Sequence, residues 1–329
     1  FRRGASYSEA FAGSGELTAV NAVVQIIGAP EYSLILLDEP ETSLHPGAQR
    51  ALLKFLLEQI KLKGHQVVIS THSIDFLEGL PHSAIKVFEG NGAGQTRVLP
   101  SSSPNSALVR LGKPPVNKKR VLVEDPLAAL LVERAIDSLD PGDVQSLEIK
   151  VAPGGADAIL RYLGPAAMTS GDDVYVFLDG DQRKVEEFTD PSTIAPAAHP
   201  QLAALLKAET GVDPLFHIPG GQGVAAHEAA KVQAQLNYLN WLKTRVAYLP
   251  GLVPEVTFLK ALNQMGAYDA MTAAEAKEAL KTMLAKNVEV TSSELVTLAK
   301  VAAAGIPQDH ENLAAIRQRI ALWLHGAPV

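Results

Sequence analysis

Two short apolar runs that end in polar residues frame the first third of this chain. Leu34-Ile-Leu-Leu37 ends in Asp38-Glu39-Pro40-Glu41-Thr42-Ser43-Leu44-His45-Pro46, and Val67-Val68-Ile69 ends in Ser70-Thr71-His72-Ser73. Short continuous apolar runs bounded by turn formers read as strands covered on both faces. The pattern therefore predicts fully buried strands over 34–38 and 66–70. Between them Gln49–Lys61 shows the helical period, and Leu17–Ile27 reads as an earlier helix. Ile74–Leu80 predicts a short helix stopped by Pro81. Residues 84–89 and 96–99 flank Gly90-Asn-Gly-Ala-Gly94 and predict a hairpin.

The alternation returns further along. Strands are predicted over 120–123, 146–151 and 173–178, with further candidates at 214–218 and 246–249. A helix is predicted over 126–138, and 154–163 reads as a loop running into a helix. After residue 255 the pattern turns helical, and Thr272-Ala-Ala-Glu275 and Thr291-Ser-Ser-Glu294 are two capping boxes. Residues 100–119, with Ser-Ser-Ser-Pro and then Lys113-Pro-Pro-Val-Asn-Lys-Lys119, have the composition of a boundary. The expected class is α/β, in four stretches: a first α/β unit at 1–112, a linker at 113–119, a second α/β unit at 120–255 and a helical region at 256–329.

Composition narrows the picture. The 329 residues suffice for two domains, and 47% of them are apolar, so each can bury a core. No apolar run approaches the ~18 residues of a membrane span, no signal peptide is visible, and the first residue, Phe1, reads as the start of a segment. With no cysteine, disulfides and thiolate metal sites are excluded, which fits a cytoplasmic setting. The net charge of −7 argues against a general nucleic-acid coat, yet suits an enzyme whose metal ligands are carboxylates.

Candidate chemistry lies at the strand ends. ATP hydrolysis needs a metal held against the phosphates and a group that polarises the attacking water. Asp38 ends a strand and is placed to hold Mg²⁺, Glu39 suits the water, and His72 can reach a γ-phosphate. Gly13-Ser14-Gly15-Glu16 precedes a helix, where free N–H groups face an anion or simply cap. No G-x-x-x-x-G-K-[ST] occurs anywhere, so half of a nucleotide site is all the chain offers.

A second constellation is purely acidic. Val121-Leu-Val-Glu124-Asp125 and Val174-Tyr-Val-Phe-Leu-Asp179-Gly180-Asp181 both run from a strand into acids. A D-x-D with glycine in the middle puts two carboxylates on one side of a tight bend. A glutamate from the next strand can join them at the carboxyl edge of the sheet, where α/β ligand sites lie. Such oxygen ligands suit Mg²⁺ or Mn²⁺, and two such ions stabilise both the attacking and the leaving oxygen of a phosphodiester. Arg183, Lys184 and the cluster Lys118–Arg120 read as phosphate contacts or as a solvated face.

These motifs carry a family resemblance. The acid pair, the Ser43-Leu44-His45-Pro46 turn and Ser70-Thr71-His72-Ser73 resemble the C-terminal part of an ABC-type ATPase, in which Ser14, Gly15 and Glu16 fall at the signature motif. Glu124 with Asp179-Gly180-Asp181 resembles the Toprim fold, and Leu249-Pro-Gly-Leu-Val-Pro254-Glu255 resembles a segment of one Toprim branch in which Glu255 would be a further metal ligand. The two together are similar to the OLD (overcoming lysogenisation defect) nucleases, a group that includes the nuclease subunit of the Gabija anti-phage system. The resemblance implies a metal-dependent DNA endonuclease or nickase governed by an ATPase domain, a homo-oligomer formed through that domain, in many relatives a UvrD-type helicase partner, and a role in phage defence or DNA processing.

The chain departs from the family pattern in places. Asp125 stands where the family has glycine, Ala128 where it often has an acid, and Arg183 where it has an acid or serine. Against the family pattern, either one metal is held less tightly or Asp125 compensates as a metal ligand; Gly154-Gly155 resembles a glycine loop or is a turn, and Lys300 is the candidate for the family's late lysine or a surface lysine. A non-catalytic, ATP-sensing scaffold with a degenerate acidic centre is the alternative.

Overall fold

In the computed structural model of the chain, residues 14–90, 94–115, 118–218, 224–263, 267–286 and 288–325 are described. Gly13 and the centre of the predicted hairpin turn lie outside them, as do the side chains of Ser14, Gly15 and Glu16. The chain divides into two compact units, Phe1–Pro114 and Pro115–Val329.

In the first unit α1 (Ser14–Gly28), β1 (Leu34–Asp38), α2 (Pro46–Lys63) and β2 (Gln66–Ser70) make a parallel two-stranded sheet with helices against it. Pro46 at the first helical position and the His45 side chain, which accepts the Gly47 N–H, start α2, and left-handed Gly64 ends it. Ile35, Leu37, Val67 and Ile69 pack toward Leu52, Leu53 and Leu56 of α2 and Ile26 of α1. The alternate positions Leu34, Leu36 and Val68 are exposed, Leu36 by 69%. The expectation of strands buried on both faces is thus corrected. Among the described residues the two strands pair only with each other, so one face has no covering layer.

The segment after β2 forms only a 3-10 turn, Ile74–Phe76, capped by Ser73, rather than a helix to Leu80. β3 (Val87–Gly90) and β4 (Thr96–Leu99) pair antiparallel, and α3 (Pro104–Arg110) shares a small core with them through Ala107.

The second unit is a three-layer sandwich. Its sheet has the order β6-β5-β7-β8, all parallel, from β5 (Lys119–Val123), β6 (Leu147–Val151), β7 (Val174–Leu178) and β8 (Val246–Tyr248). β7 is buried along its whole length, as a central parallel strand must be. Val121, Val123, Tyr175 and Phe177 face one layer, α4 (Pro126–Ile136) with α10 (Pro254–Leu262), α11 (Ala273–Ala285), α12 (Ser292–Ala304) and α13 (Glu311–His325). α13 is pinned by Trp323, whose ring lies 4.9 Å from Tyr175 and 4.7 Å from Phe177. Val174, Val176 and Leu178 face the other layer, built of α6 (Gly155–Ala158), α7 (Gly164–Ser170), α8 (Leu202–Thr210) and α9 (Val224–Arg245), while α5 (Pro141–Gln145) leads into β6. The expected boundary between 255 and 256 falls inside α10, and the terminal helices share one core with the sheet.

Segment 214–218 is not a strand. Residues Ile159–Leu163 form a π-helical turn between α6 and α7, which frees carbonyls from the regular ladder. The Arg161 carbonyl accepts the Leu215 N–H at 2.9 Å, and the Leu160 carbonyl accepts the Tyr238 hydroxyl at 2.7 Å. Leu215 is therefore tied to a helix rather than to a neighbouring strand.

Strand order locates the crevice. The chain leaves β5 through α4 on one face and returns from β6 through α6 and α7 on the other, so connections diverge between β5 and β7. Ligands of open α/β sheets bind at the carboxyl ends of strands flanking such a switch point. Glu124 and Asp179 directly follow those two strands.

Candidate functional site

The acidic cluster of the second unit is assembled by backbone lacing. Asp179 donates its N–H to Glu124 Oε1 at 2.7 Å, joining residues 55 apart in sequence. Leu249 donates to the Leu178 carbonyl at 2.7 Å, and Asp181 donates to the Leu252 carbonyl at 2.8 Å. These bonds seat the D-G-D turn against the segment that leads from β8 into α10, whose first turn carries Glu255. The fit is so close that a Cβ on Gly180 would stand 1.8 Å from the Gly251 carbonyl oxygen. Gly251 itself has φ +83°, a conformation that favours glycine.

Burial and mutual repulsion shape the chemistry. Asp179 is 7% exposed, and its Oδ1 has no hydrogen-bond partner. Burial, with the charges of Glu124, Asp125, Asp181 and Glu255, pushes its carboxyl up to about 8. Glu124 is also raised, first by burial and then by Asp181 and Asp125, against the N–H bonds it accepts from Asp179 and Ala156. Glu255, 6% exposed, is raised by burial and by Asp125 and Asp181, with Lys277 acting in the opposite sense. Five acids thus act on one another at one sheet edge, with Asp181 exposed at the rim.

Asp125 has a second job. Its Oδ1 accepts the Ala128 N–H at 2.8 Å and caps α4. Ala128 is fully buried in the core, so that position faces no ligand. Gly154 and Gly155, both at positive φ, turn the chain from β6 into α6 so that the Ala156 N–H reaches Glu124. Lys300 is exposed on α12, and the lysine whose charge registers on the cluster is Lys277 of α11. Sequence reasoning passed over Lys277 because it sits in an ordinary amphipathic helix, and only the packing of α11 on α10 brings it to Glu255.

The donor set suits a hard divalent cation: it is all oxygen, and one buried oxygen lacks a partner. Among the described residues, however, no three His, Asp or Glu side chains already form a group able to hold a metal ion. Glu124 spends one oxygen on the Asp179 N–H and Asp125 spends one on its cap. The carboxylates supply the right chemistry and would have to exchange these bonds for a cation.

The motifs of the first unit make a separate arrangement. The Ser70 hydroxyl donates to Asp38, and the Glu39 N–H donates to the Ser70 carbonyl at 2.9 Å, so the acids at the end of β1 are tied to β2. Glu39 and Ser43 adopt positive φ of 40° and 65°, a backbone strain typical of functional turns. His72 Nε2 lies 3.5 Å from Glu39 Oε1. Glu41 accepts the His72 N–H at 2.7 Å, and Lys113 donates to the His72 carbonyl at 2.7 Å. Buried Gln49 bridges the turns, donating to the Leu44 carbonyl at 2.8 Å and accepting from the Ser73 hydroxyl at 2.5 Å. Glu41, Gln49 and Lys113 carry no motif signal, and only the fold shows them holding the histidine turn. Ser14, Gly15 and Glu16 open α1.

Comparison with known proteins bears on this first unit. Residues 1–78 match a family model described as "AAA domain, putative AbiEii toxin, Type IV TA system". The matched span contains Asp38, Glu39 and His72 and supports an ATPase-type domain. No curated protein matches the chain. Among the described residues, no helix is long and apolar enough to cross a membrane.

Proposed function

We propose that the chain is a metal-dependent DNA endonuclease or nickase of Toprim type, controlled by an ABC-type ATPase domain to which its first unit belongs. The observation that carries the reading is the convergence of Glu124, Asp179, Asp181 and Glu255 at the switch point of the second sheet, with an unpartnered buried oxygen on Asp179. Buried carboxylates that repel one another are costly to keep unless they hold a cation.

Asp179, Asp181, Glu124 and Glu255 would hold Mg²⁺ or Mn²⁺, with Asp125 lending charge. When bound, one or two such ions supply Lewis acidity toward the phosphodiester and lower the pKa of a water. The residues do the remainder. Asp179, whose carboxyl is pushed up to about 8, releases a proton as a cation takes its place. Glu124, released from the Asp179 N–H, can accept the proton of an attacking water. Lys277, beside Glu255, offers positive charge where the transition state gathers negative charge.

In the first unit Asp38, Glu39 and His72 form the hydrolytic half of a nucleotide site, with Ser14, Gly15 and Glu16 at the position of a signature motif. ATP would be held only once a phosphate loop completes it. Homo-oligomerisation through that domain, a UvrD-type helicase partner and service in phage defence belong to the same reading. Replacing Asp179 by alanine is expected to abolish Mg²⁺- or Mn²⁺-dependent nicking of supercoiled plasmid, and full activity in that variant would sink the assignment.

A non-catalytic scaffold is favoured by one observation, the lack of a ready-made metal group among the described residues. Calorimetry with Mn²⁺ separates the two readings: binding that Asp179→Asn removes supports the nuclease, and no binding at millimolar Mn²⁺ supports the scaffold.

A further inference from the structure

We propose that Arg183 is a phosphate-holding residue, a pre-positioned cation that grips the backbone of the nucleic acid beside the acidic cluster. The assignment rests on the nuclease reading and goes beyond it by naming the group that meets the substrate.

Three cations of the second unit stand at the amino end of its parallel sheet. At the amino end Lys119 pairs with Asp173 at 2.6 Å, Arg245 pairs with the same carboxylate, and Arg120 pairs with Asp172 at 2.5 Å. They lie at the opposite end of the strands from Glu124 and Asp179. The expectation that Lys118–Arg120 contacts phosphate at the acidic site therefore does not hold for Lys119 and Arg120. Arg183 lies at the carboxyl end, two residues past Asp181.

Its position is built rather than incidental. The guanidinium carbon stands 4.9 Å from the centre of the Tyr248 ring. Tyr248 ends β8, the neighbour of β7, and is held by Phe188, stacked at 6.0 Å, and by the Lys184 N–H on its phenol oxygen. The Arg183 N–H donates to the Gly180 carbonyl at 3.2 Å. Backbone and ring together fix the cation relative to the D-G-D turn.

The fork itself is lightly engaged. Its carboxylate partner, Glu186, lies 3.1 Å away, three residues on, with its side chain 86% exposed. Exposed pairs of this kind contribute under about 1 kcal/mol, so a phosphate displaces Glu186 at small cost. The Arg183 charge acts on the Tyr248 phenol, and the arginine side chain is 38% exposed. A planar fork with several donors matches phosphate oxygens two at a time and carries no base information. The ligand class is the phosphodiester backbone.

Fluorescence anisotropy with duplex DNA of several sequences, in Ca²⁺ and over a range of salt, tests this. Arg183→Ala is expected to weaken binding about tenfold, equally for all sequences, and to reduce the slope of log K against log salt by about 1. Arg183→Lys should fall between, and Glu186→Gln, which removes the competing carboxylate, should bind more tightly than the parent. Unchanged affinity and slope in Arg183→Ala overturn the proposal, as does weaker binding by Glu186→Gln. A parent that binds DNA but never nicks it, with Arg183→Ala weakened, leaves the phosphate site standing and removes the nuclease reading. A parent that nicks, with Arg183→Ala unaffected, removes only the role of Arg183. A parent that does neither removes both.

Discussion

Asp179 carries the tension of the molecule. Its carboxyl is pushed up to about 8 by burial and by four neighbouring acids. In the metal-free protein the folded state keeps a proton that the unfolded chain has released above about pH 4. Stability from this group is full below that value and is lost as pH rises toward 8, because the unfolded chain gains by releasing a proton that the folded state still holds, and the loss ends once the folded carboxyl ionises as well. Thermal melts in EDTA are expected to show a falling midpoint between pH 4 and 8, and Asp179→Asn should flatten that fall. Divalent metal should restore the parent most strongly at the alkaline end, since metal replaces the proton. Gly180 is the other critical residue. A methyl there would meet the Gly251 carbonyl oxygen at 1.8 Å, so the two turns must separate. Gly180→Ala is expected to cost about 1–3 kcal/mol in urea unfolding and to abolish nicking, and a variant with parental stability would contradict the lacing described above.

At the scale of elements, capping and cluster chemistry meet in α4. Asp125 accepts the Ala128 N–H and so starts the helix whose far side fills the core. Asp125→Ala is expected to lose about 1 kcal/mol of stability, the usual cost of a lost cap. Asp125→Ser keeps a capping oxygen and removes the charge. If Asp125 serves chiefly as a cap, Asp125→Ser keeps both stability and nicking; if it is a metal ligand, nicking drops while the melt is unchanged. The α/β class was legible because strand and helix periods are local properties: 34–38, 66–70 and the capping boxes at Thr272 and Thr291 stand where pattern and turn chemistry put them. Segment 214–218 misled because an apolar run announces burial without naming the partner, and here the partner is a π-helical turn. The bare face of β1 and β2 misled for the same reason, since an apolar run does not tell whether both sides will be covered.

At the scale of the molecule, the two units differ in completeness. Pro115–Val329 contains both large cores, with α10–α13 sharing the sheet's apolar face. It is expected to fold when expressed alone, with a cooperative melt and helical circular dichroism. Phe1–Pro114 exposes Leu34, Leu36 and Val68 on one face of the β1–β2 sheet, and contiguous apolar surface of that kind favours association. Expressed alone, it is expected to aggregate or to melt well below the second unit, and a monomeric fragment of equal stability would contradict this.

By itself the sequence determined the α/β class, the strands at 34–38, 66–70 and 174–178, the two capping boxes, that acids follow β1, β5 and β7, and that glycine separates the two aspartates, because periodicity, turn chemistry and residue type act over a few neighbouring positions. Tertiary structure alone decided that Glu124 meets Asp179 across 55 residues, that Asp125 caps a helix, that Lys277 rather than Lys300 neighbours the acids, and that Arg183 is the arginine fixed at their edge of the sheet. The reason is strand order. Once the sheet runs β6-β5-β7-β8, residues distant in sequence become neighbours at one edge, and which charges meet there follows from that order and from the packing of α10 and α11.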